Sequence, residues 1–168
     1  MVILFIYFST EVDSLEIVSV LSAFVLIIWA AIEDLRSYRI PNRLIVAGMI
    51  TGCVFLLINV LAGNSVNRYL FGALAGFGGM MVLHIIGAVG AGDVKLFLVL
   101  GMLLGTEYIV MLMGTSLIMG VVTGVIELCV KKTVPVERGR LGCRMHGFHY
   151  AVAVLCGFVV VLIFILCR

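Results

Sequence analysis

The amino-acid sequence predicts an all-α membrane protein: a polytopic transmembrane helix bundle of about six spans, forming a single domain over residues 1–168. Three observations carry this prediction. Of the 168 residues, 64% are hydrophobic and only 12% are charged, whereas soluble domains are about 45–50% apolar and about 25% charged. The mean hydropathy is +1.31. Apolar runs of about 20 residues, the length that crosses a bilayer as a helix, recur along the chain.

Each predicted span is an apolar run bounded by charged or turn-forming residues. The six runs lie at 16–33, 43–62, 69–87, 94–105, 107–130 and 147–167. The fourth is short for a full crossing, and only Gly105, Thr106 and Glu107 form its turn into the fifth. The third contains the glycine-rich run FGALAGFGGM, which is predicted to serve close helix packing. Three loops are expected on one face, at about 34–43, 87–95 and 131–146.

The basic residues predict the orientation, because cytoplasmic loops of membrane proteins are enriched in lysine and arginine. Six antiparallel spans place nine of them on one face: Arg36, Arg39, Arg43, Lys95, Lys131, Lys132, Arg138, Arg140 and Arg144. The other face keeps Arg68 and Arg168, together with the acids Glu11, Asp13, Glu16 and Glu107. The basic face is therefore predicted to be cytoplasmic, to contact anionic membrane lipids, and to leave both termini outside. The net charge of +2 does not suggest a nucleic-acid partner.

Two aspartates are predicted to lie at the same depth, near the cytoplasmic face. Asp34 is at the inner end of the first span, and Asp93 opens the fourth. The chain crosses the membrane out and back between them, and Pro41 marks the start of the second span. Ionisable residues at this depth are costly and commonly mark function. Each has a structural alternative: Asp34 could pair with Arg36 or Arg39, and Asp93 could cap its helix.

Two facing carboxylates form an acid–base pair. Like charges in contact cannot both ionise easily, so one carboxyl keeps a proton near neutral pH while the other acts as a base. One then activates a water molecule while the other protonates or hydrogen-bonds a scissile carbonyl, which is the chemistry of aspartic proteolysis. Gly87, Gly90 and Gly92 lack a Cβ and would let the backbone approach a substrate strand closely. Such non-helical backbone is tolerated where it lines a cavity.

The residues around both aspartates resemble one enzyme family. Gly90-Ala91-Gly92-Asp93 is a GxGD motif followed by a hydrophobic residue and Lys95, and DLRSYRIPNRL begins about 60 residues upstream. Together they resemble the type IV prepilin peptidases, the GxGD-type intramembrane aspartic proteases of bacteria, over roughly residues 16–130. The resemblance implies a catalytic dyad of Asp34 and Asp93. It also implies substrate-binding or supporting positions at Gly90, Gly92, Lys95, Pro41 and Asn42.

The resemblance further implies an activity and a location. The expected enzyme is an aspartic endopeptidase without a cofactor, which removes the short basic leader of prepilin-like proteins at the cytoplasmic face of the bacterial plasma membrane. Larger family members carry a cytoplasmic cysteine-pair domain associated with N-methylation of the mature pilin. The five cysteines here include no CxxC pair and indicate neither a zinc site nor disulfides. The chain therefore resembles the short, peptidase-only members found with Flp-type pili, and methyltransferase activity is not expected.

Other polar residues carry separate predictions. His84, within the third span, is expected to be packed and hydrogen-bonded rather than catalytic. His146 and His149 form an HxxH pair without a third metal ligand, so an interfacial or substrate-contacting role is expected and no metal. Three acids are candidates for contacts with a basic leader: Glu33, Glu127 and Glu137. The sequence indicates no oligomeric state.

The main alternative is a small, non-proteolytic transporter or scaffold that uses Asp34 and Asp93 as an ion or proton site. Transporters usually place such charges near the midplane and show an inverted repeat, and neither pattern is visible in the sequence. Presenilin-like proteases also use GxGD, but their first aspartate lies in a Tyr-Asp pair, which the sequence lacks. No HExxH motif indicates a zinc protease, and no Ser–His arrangement indicates a serine protease.

Overall fold

A computed structural model describes residues 14–37, 40–130 and 150–167, and five α-helices make up most of this part of the chain. They are α1 (Ser14–Ser37), α2 (Asn42–Leu61), α3 (Asn67–Ile85), α4 (Ala91–Val130) and α5 (Tyr150–Cys167). Among these described helices, α1 to α4 are long and apolar enough to cross a membrane, and α5 is a shorter apolar helix. The predicted fold class, an all-α membrane bundle, is confirmed.

A sharp bend divides α4 into two legs, residues 91–104 and 106–130. The bend is at Gly105, which has φ 79° and ψ 176°. A Cβ added to Gly76 of α3 would lie 2.5 Å from the carbonyl oxygen of Phe97 in the first leg and 3.1 Å from Ile109 in the second. In a straight helix, Phe97 and Ile109 would be about 18 Å apart. The legs therefore fold back on one another, and they correspond to the separate fourth and fifth spans predicted from the sequence.

Arg68, in the first turn of α3, contacts several helices of the bundle next to this bend. Its carbonyl oxygen accepts a hydrogen bond from Thr106 Oγ1 at 2.8 Å, and its Nη1 lies 3.0 Å from Oε1 of Glu16 in α1. The guanidinium also lies over the rings of Tyr69 and Tyr108, 5.5 and 5.6 Å from their centroids. Arg68 thus ties α1, α3 and the second leg of α4 together at the end of the bundle opposite the two aspartates.

Gly105→Ala should destabilise the protein more than Gly63→Ala. Both glycines have a positive φ, 79° and 75°, which costs a residue with a Cβ about 1–2 kcal/mol. At Gly105 the new Cβ would also lie 2.9 Å from Nε of Arg68, whereas Gly63 has open space around it. Thermal unfolding in detergent should show a loss of about 1 kcal/mol at Gly63 and at least about 2 kcal/mol at Gly105. Equal losses would mean that the bend accommodates the methyl group.

The first leg of α4 is the central helix of the bundle. Four of its large side chains are fully buried: Leu96, Phe97, Leu100 and Leu103. On one side it packs against α2, where a Cβ on Gly48 would meet the side chain of Val99 at 2.7 Å. On another side it packs against α3. Asp93, near the start of this leg, is thus carried by the most buried helix of the described chain.

Glycines allow α3 to approach the first leg at backbone distance. A Cβ on Gly72 would lie 2.6 Å from the carbonyl oxygen of Gly101, and a Cβ on Gly101 would overlap the backbone of Gly72 and Ala73. Small residues at such crossings are a common source of helix association in membranes. The packing role predicted for the run FGALAGFGGM is therefore confirmed for Gly72 and Gly76, while Gly78 of the same run has open space around it.

Candidate active site

Asp34 is a buried carboxylate in the last turn of α1, with only 6% of its surface exposed. Its Oδ2 accepts a hydrogen bond from the backbone N–H of Ala151, in the first turn of α5, at 3.1 Å. The first N–H groups of a helix have no partner within their own helix and carry the positive end of its dipole. A carboxylate is therefore a favourable partner there, and this contact fixes α1 to α5 beside the site.

Asp93 lies within the first turn of α4. The helix begins at Ala91, three residues before the predicted start of the fourth span at 94. The N–H of Asp93 donates to the carbonyl oxygen of Gly90 at 3.2 Å, and Oδ2 of its carboxylate lies beside the backbone of Gly90, 3.1 Å from the position of an added Cβ. A carboxylate in the first turn of a helix is favoured by the positive end of the helix dipole. Asp93 therefore lies inside the helix and is not its N-cap, and its side chain is half-buried.

The structure brings the two aspartates together at one end of the bundle. Their carboxyl groups are close enough for the charge of Asp34 to act on Asp93. Asp34 also contacts the first turn of α5, through the N–H of Ala151. Three helices that are distant in sequence therefore converge on one pair of carboxyl groups.

Two contacts join the start of α2, together with the residues just before it (Ile40–Asn42), to the start of α4. A Cβ on Gly92 would lie 3.2 Å from Cβ of Ile40, so the glycine lets this side chain pack directly on the helix. Nζ of Lys95 donates a hydrogen bond to Oδ1 of Asn42 at 3.4 Å. Pro41 lies between Ile40 and Asn42 in an extended conformation, with φ −70° and ψ 141°. The contact to Asn42 indicates that Lys95 fastens this segment to α4.

His84, near the end of α3, forms a hydrogen bond across the loop between α3 and α4. Its Nδ1 lies 2.8 Å from the carbonyl oxygen of Val89, which confirms the prediction of a hydrogen-bonded histidine. Gly87 has φ 83°, a conformation that favours glycine. Among the described residues, a Cβ on Gly90 would meet only Oδ2 of Asp93 within 4 Å, at 3.1 Å. In that part of the chain, this side of the Gly90 backbone therefore borders the Asp93 carboxylate and no other side chain.

Sequence reasoning missed two polar residues of this site, Tyr150 and Ser116. Tyr150 is 5% exposed and Ser116 is fully buried, and their oxygen atoms lie 3.1 Å apart. Neither belongs to a motif around an aspartate. The available signal was a polar residue inside an apolar run, MLMGTSLIMG for the serine and YAVAVLCG for the tyrosine. The N–H of Ala151 left no such signal, because a backbone group is common to nearly all residues.

Several residues with predicted roles lie outside the part of the chain that the structure describes. They are Arg39, the loop 131–146 with Glu137 and His146, His149, and the side chain of Glu127. Glu33 is described and is half-buried. In the part of the chain that the structure describes, no group of three or more His, Cys, Asp and Glu side chains could hold a metal ion.

Comparisons with known proteins match the region that contains both aspartates. Residues 20–125 match the model of the type IV leader peptidase family. The prepilin leader peptidase/N-methyltransferase of Bacillus subtilis (strain 168) is 34% identical over 113 residues, which are 66% of this chain and 45% of that protein. The chain thus matches less than half the length of this relative. No solved structure gives a significant match.

Proposed function

This chain belongs to the type IV leader peptidase family, and on that premise we propose that it is a membrane aspartic endopeptidase that cleaves the basic leader from prepilin-like proteins. The proposed catalytic dyad is Asp34 and Asp93. The proposal is supported by the position of these two carboxyl groups, which come from different helices and lie near enough for one charge to act on the other, both inside the region that matches the family. The relative's name also includes an N-methyltransferase. We propose only the peptidase activity for this chain, because it matches less than half of that protein.

In the proposed mechanism the two carboxyl groups share one proton, because like charges at short range cannot both ionise easily. The ionised carboxylate takes a proton from a water molecule, and the water oxygen forms a bond to the scissile carbonyl carbon. The protonated carboxyl gives its proton to the carbonyl oxygen. The tetrahedral gem-diol then collapses: one hydroxyl returns its proton to the carboxylate that has become ionised, the C–N bond breaks, and the other carboxyl delivers its proton to the leaving amine. Peptide and water are the only reactants.

The difference in burial between the two aspartates favours an approach of substrate from the side of Asp93. Asp34 is almost fully buried, whereas Asp93 is half-buried and follows the exposed loop residues Ile86, Gly87 and Ala88. The open backbone at Gly90 lies directly beside the Asp93 carboxylate. An extended leader segment placed along this loop would bring its peptide bond next to the dyad.

The proposed site faces the cytoplasm of a bacterial cell, at the plasma membrane. Of the described cations, Arg36, Arg43 and Lys95 lie in or next to the helix ends that hold the aspartates, while Arg68 lies at the opposite end with Glu16. This asymmetry supports the cytoplasmic assignment, because basic residues are enriched on that side. We further propose prepilins of the Flp type as substrates, on the basis of the resemblance to the short members of the family.

Co-expression with a Flp-type prepilin tests the proposed function. We expect the prepilin to be shortened by the length of its leader, with a new N-terminus that mass spectrometry can assign. Cells that lack the protease should keep the full-length prepilin in the membrane. If the protein were a transporter or a scaffold and not a protease, the co-expressed prepilin would also stay at full length. An unprocessed prepilin in membranes that contain abundant, folded protein would contradict the proposal.

A further inference from the structure

Ile40 lies against the glycine that directly precedes Asp93. The three atoms nearest to a Cβ added to Gly92 all belong to Ile40: Cβ at 3.2 Å, Cγ1 at 3.6 Å and Cδ1 at 3.7 Å. Gly92 is not one of the glycines with a positive φ, so its backbone would suit an alanine. Among the described residues it is therefore the side chain of Ile40 that leaves room only for a glycine at this position.

Ile40 is a stiff side chain on a stiff segment. Its Cβ is branched, which limits its rotamers, and it precedes Pro41, which favours an extended backbone at the residue before it. The carbonyl oxygen of Pro41 accepts a hydrogen bond from the N–H of Leu44 at 3.1 Å, and Leu44 is 1% exposed. Ile40 is itself half-buried and packs against the hydrophobic core. It therefore meets Gly92 as a rigid group.

This contact restrains the two aspartates relative to each other. Asp34 lies in the last turn of α1, which ends at Ser37, and Ile40 follows Ser37 by three residues. Three residues of chain span at most about 11 Å, so the end of α1 stays close to Ile40. Ile40 in turn contacts Gly92, the neighbour of Asp93. The end of α1 is thus restrained against the first turn of α4.

A second contact supports the same arrangement. Nζ of Lys95, two residues after Asp93, donates a hydrogen bond at 3.4 Å to Oδ1 of Asn42, two residues after Ile40. The start of α2 is therefore held on the start of α4 at two points. Lys95 and Asn42 are both exposed, and water competes for such a hydrogen bond. The half-buried contact of Ile40 is the firmer of the two restraints.

We propose that Ile40 is a positioning residue that acts through the two aspartates. By packing on Gly92 it sets the distance between the carboxyl groups of Asp34 and Asp93, on which the proton transfers of the dyad depend. A misplacement of about 1 Å can cost roughly 100-fold in rate. This inference rests on the proposed function. It assigns the second glycine of the GxGD motif to the packing of Ile40 and not to the approach of a substrate strand.

Gly92→Ala tests the proposal, because its methyl group would press on Ile40 and displace it by a few tenths of an ångström. We expect kcat for prepilin cleavage to fall about tenfold. KM should stay within about twofold, because the dyad is altered and bound substrate is not. Gly78→Ala is the matched control: no described atom lies within 4 Å of its added Cβ, and kcat should not change.

The double variant Gly92→Ala/Ile40→Ala is the decisive arm of the experiment. It removes Cγ1 and Cδ1 of Ile40, so the smaller side chain can move away from the new methyl group. We expect its kcat to be at least about threefold higher than that of Gly92→Ala alone. A methyl group that acted directly on Asp93 or on substrate would allow no such recovery.

Ile40→Ala alone should lower kcat about threefold, because the restraint on the dyad is loosened. Ile50→Ala is its matched control, since Ile50 is 61% exposed on α2, and that variant should cleave at the wild-type rate.

Three results would overturn the inference: a wild-type kcat in Gly92→Ala, no recovery in the double variant, or an effect confined to KM. If Gly92→Ala does not fold, Ile40→Ala still decides, because an unchanged kcat there contradicts a restraint on the dyad. These outcomes differ from a failure of the proposed function, in which the wild-type protein itself would leave the prepilin uncut.

Discussion

Asp34→Asn and Asp93→Asn will each abolish prepilin cleavage, lowering the rate by roughly 10³-fold or more. An amide has nearly the shape of a carboxyl group but can neither hold the shared proton nor take one from water. The amide oxygen at position 34 can still accept the hydrogen bond of the Ala151 N–H. A dyad that shares one proton carries a single negative charge, and each variant keeps one carboxylate, so the charge at the site need not change. The protein should therefore remain folded while the activity is lost.

The measurement combines a cleavage assay with thermal unfolding of the purified variants. Thermal stability should be close to that of the wild type in both, because the amide keeps the shape of the carboxyl group and the remaining carboxyl can still carry the single charge of the site. Glu107→Gln is the matched control, since it neutralises an exposed acid near the bend at Gly105, at the other end of the bundle. That variant should cleave at the wild-type rate. Full processing by either aspartate variant would refute the assignment of the dyad.

Gly72→Ala and Gly101→Ala should both be strongly destabilising. Each new Cβ would meet backbone atoms of the facing helix, the carbonyl oxygen of Gly101 at 2.6 Å in the case of Gly72. Backbone cannot rotate away as a side chain can, so α3 and the first leg of α4 would have to separate. We expect a loss of about 2–4 kcal/mol in the free energy of unfolding, a large part of the stability of a typical domain.

Two other helical glycines serve as controls for this comparison. In the described ranges 14–37, 40–130 and 150–167, no atom lies within 4 Å of a Cβ added to Gly78 or Gly114. Alanine there should leave stability unchanged or raise it by about 0.5–1 kcal/mol, because alanine is the better helix former. Unfolding followed by circular dichroism in detergent measures all four variants under the same conditions. Similar values for Gly72→Ala and Gly78→Ala would show that the helices do not cross at backbone distance.

The helices were predictable from the sequence because the thickness of a bilayer fixes the length of an apolar span. Even the bend at Gly105 fell between two predicted spans. The start of α4 was placed three residues late, at 94 instead of Ala91. A charged residue was taken to end the apolar run, whereas an acid in the first turn of a helix stabilises it through backbone N–H groups.

The candidate site was predictable only in part. The approach of Asp34 to Asp93 followed from counting membrane crossings, which the order of spans alone determines. The contributions of Tyr150, Ser116 and the Ala151 N–H depend on how α5 packs against the second leg of α4. That packing is a tertiary property, and its residues carry no spacing that distinguishes them from other members of an apolar helix. Arg68 was likewise predicted only to lie on the face opposite the aspartates, and its contacts with Glu16, Tyr69 and Tyr108 depend on the tertiary packing.

The short first leg of α4 has a consequence for the biosynthesis of the protein. Residues 91–104 form a helix of about 21 Å, whereas the hydrocarbon core of a bilayer is about 30 Å thick. Because the first leg is shorter than this core, we expect it to enter the membrane as a hairpin together with the second leg. Asp93 would then reach its place beside Asp34 only after the ribosome has synthesised both legs.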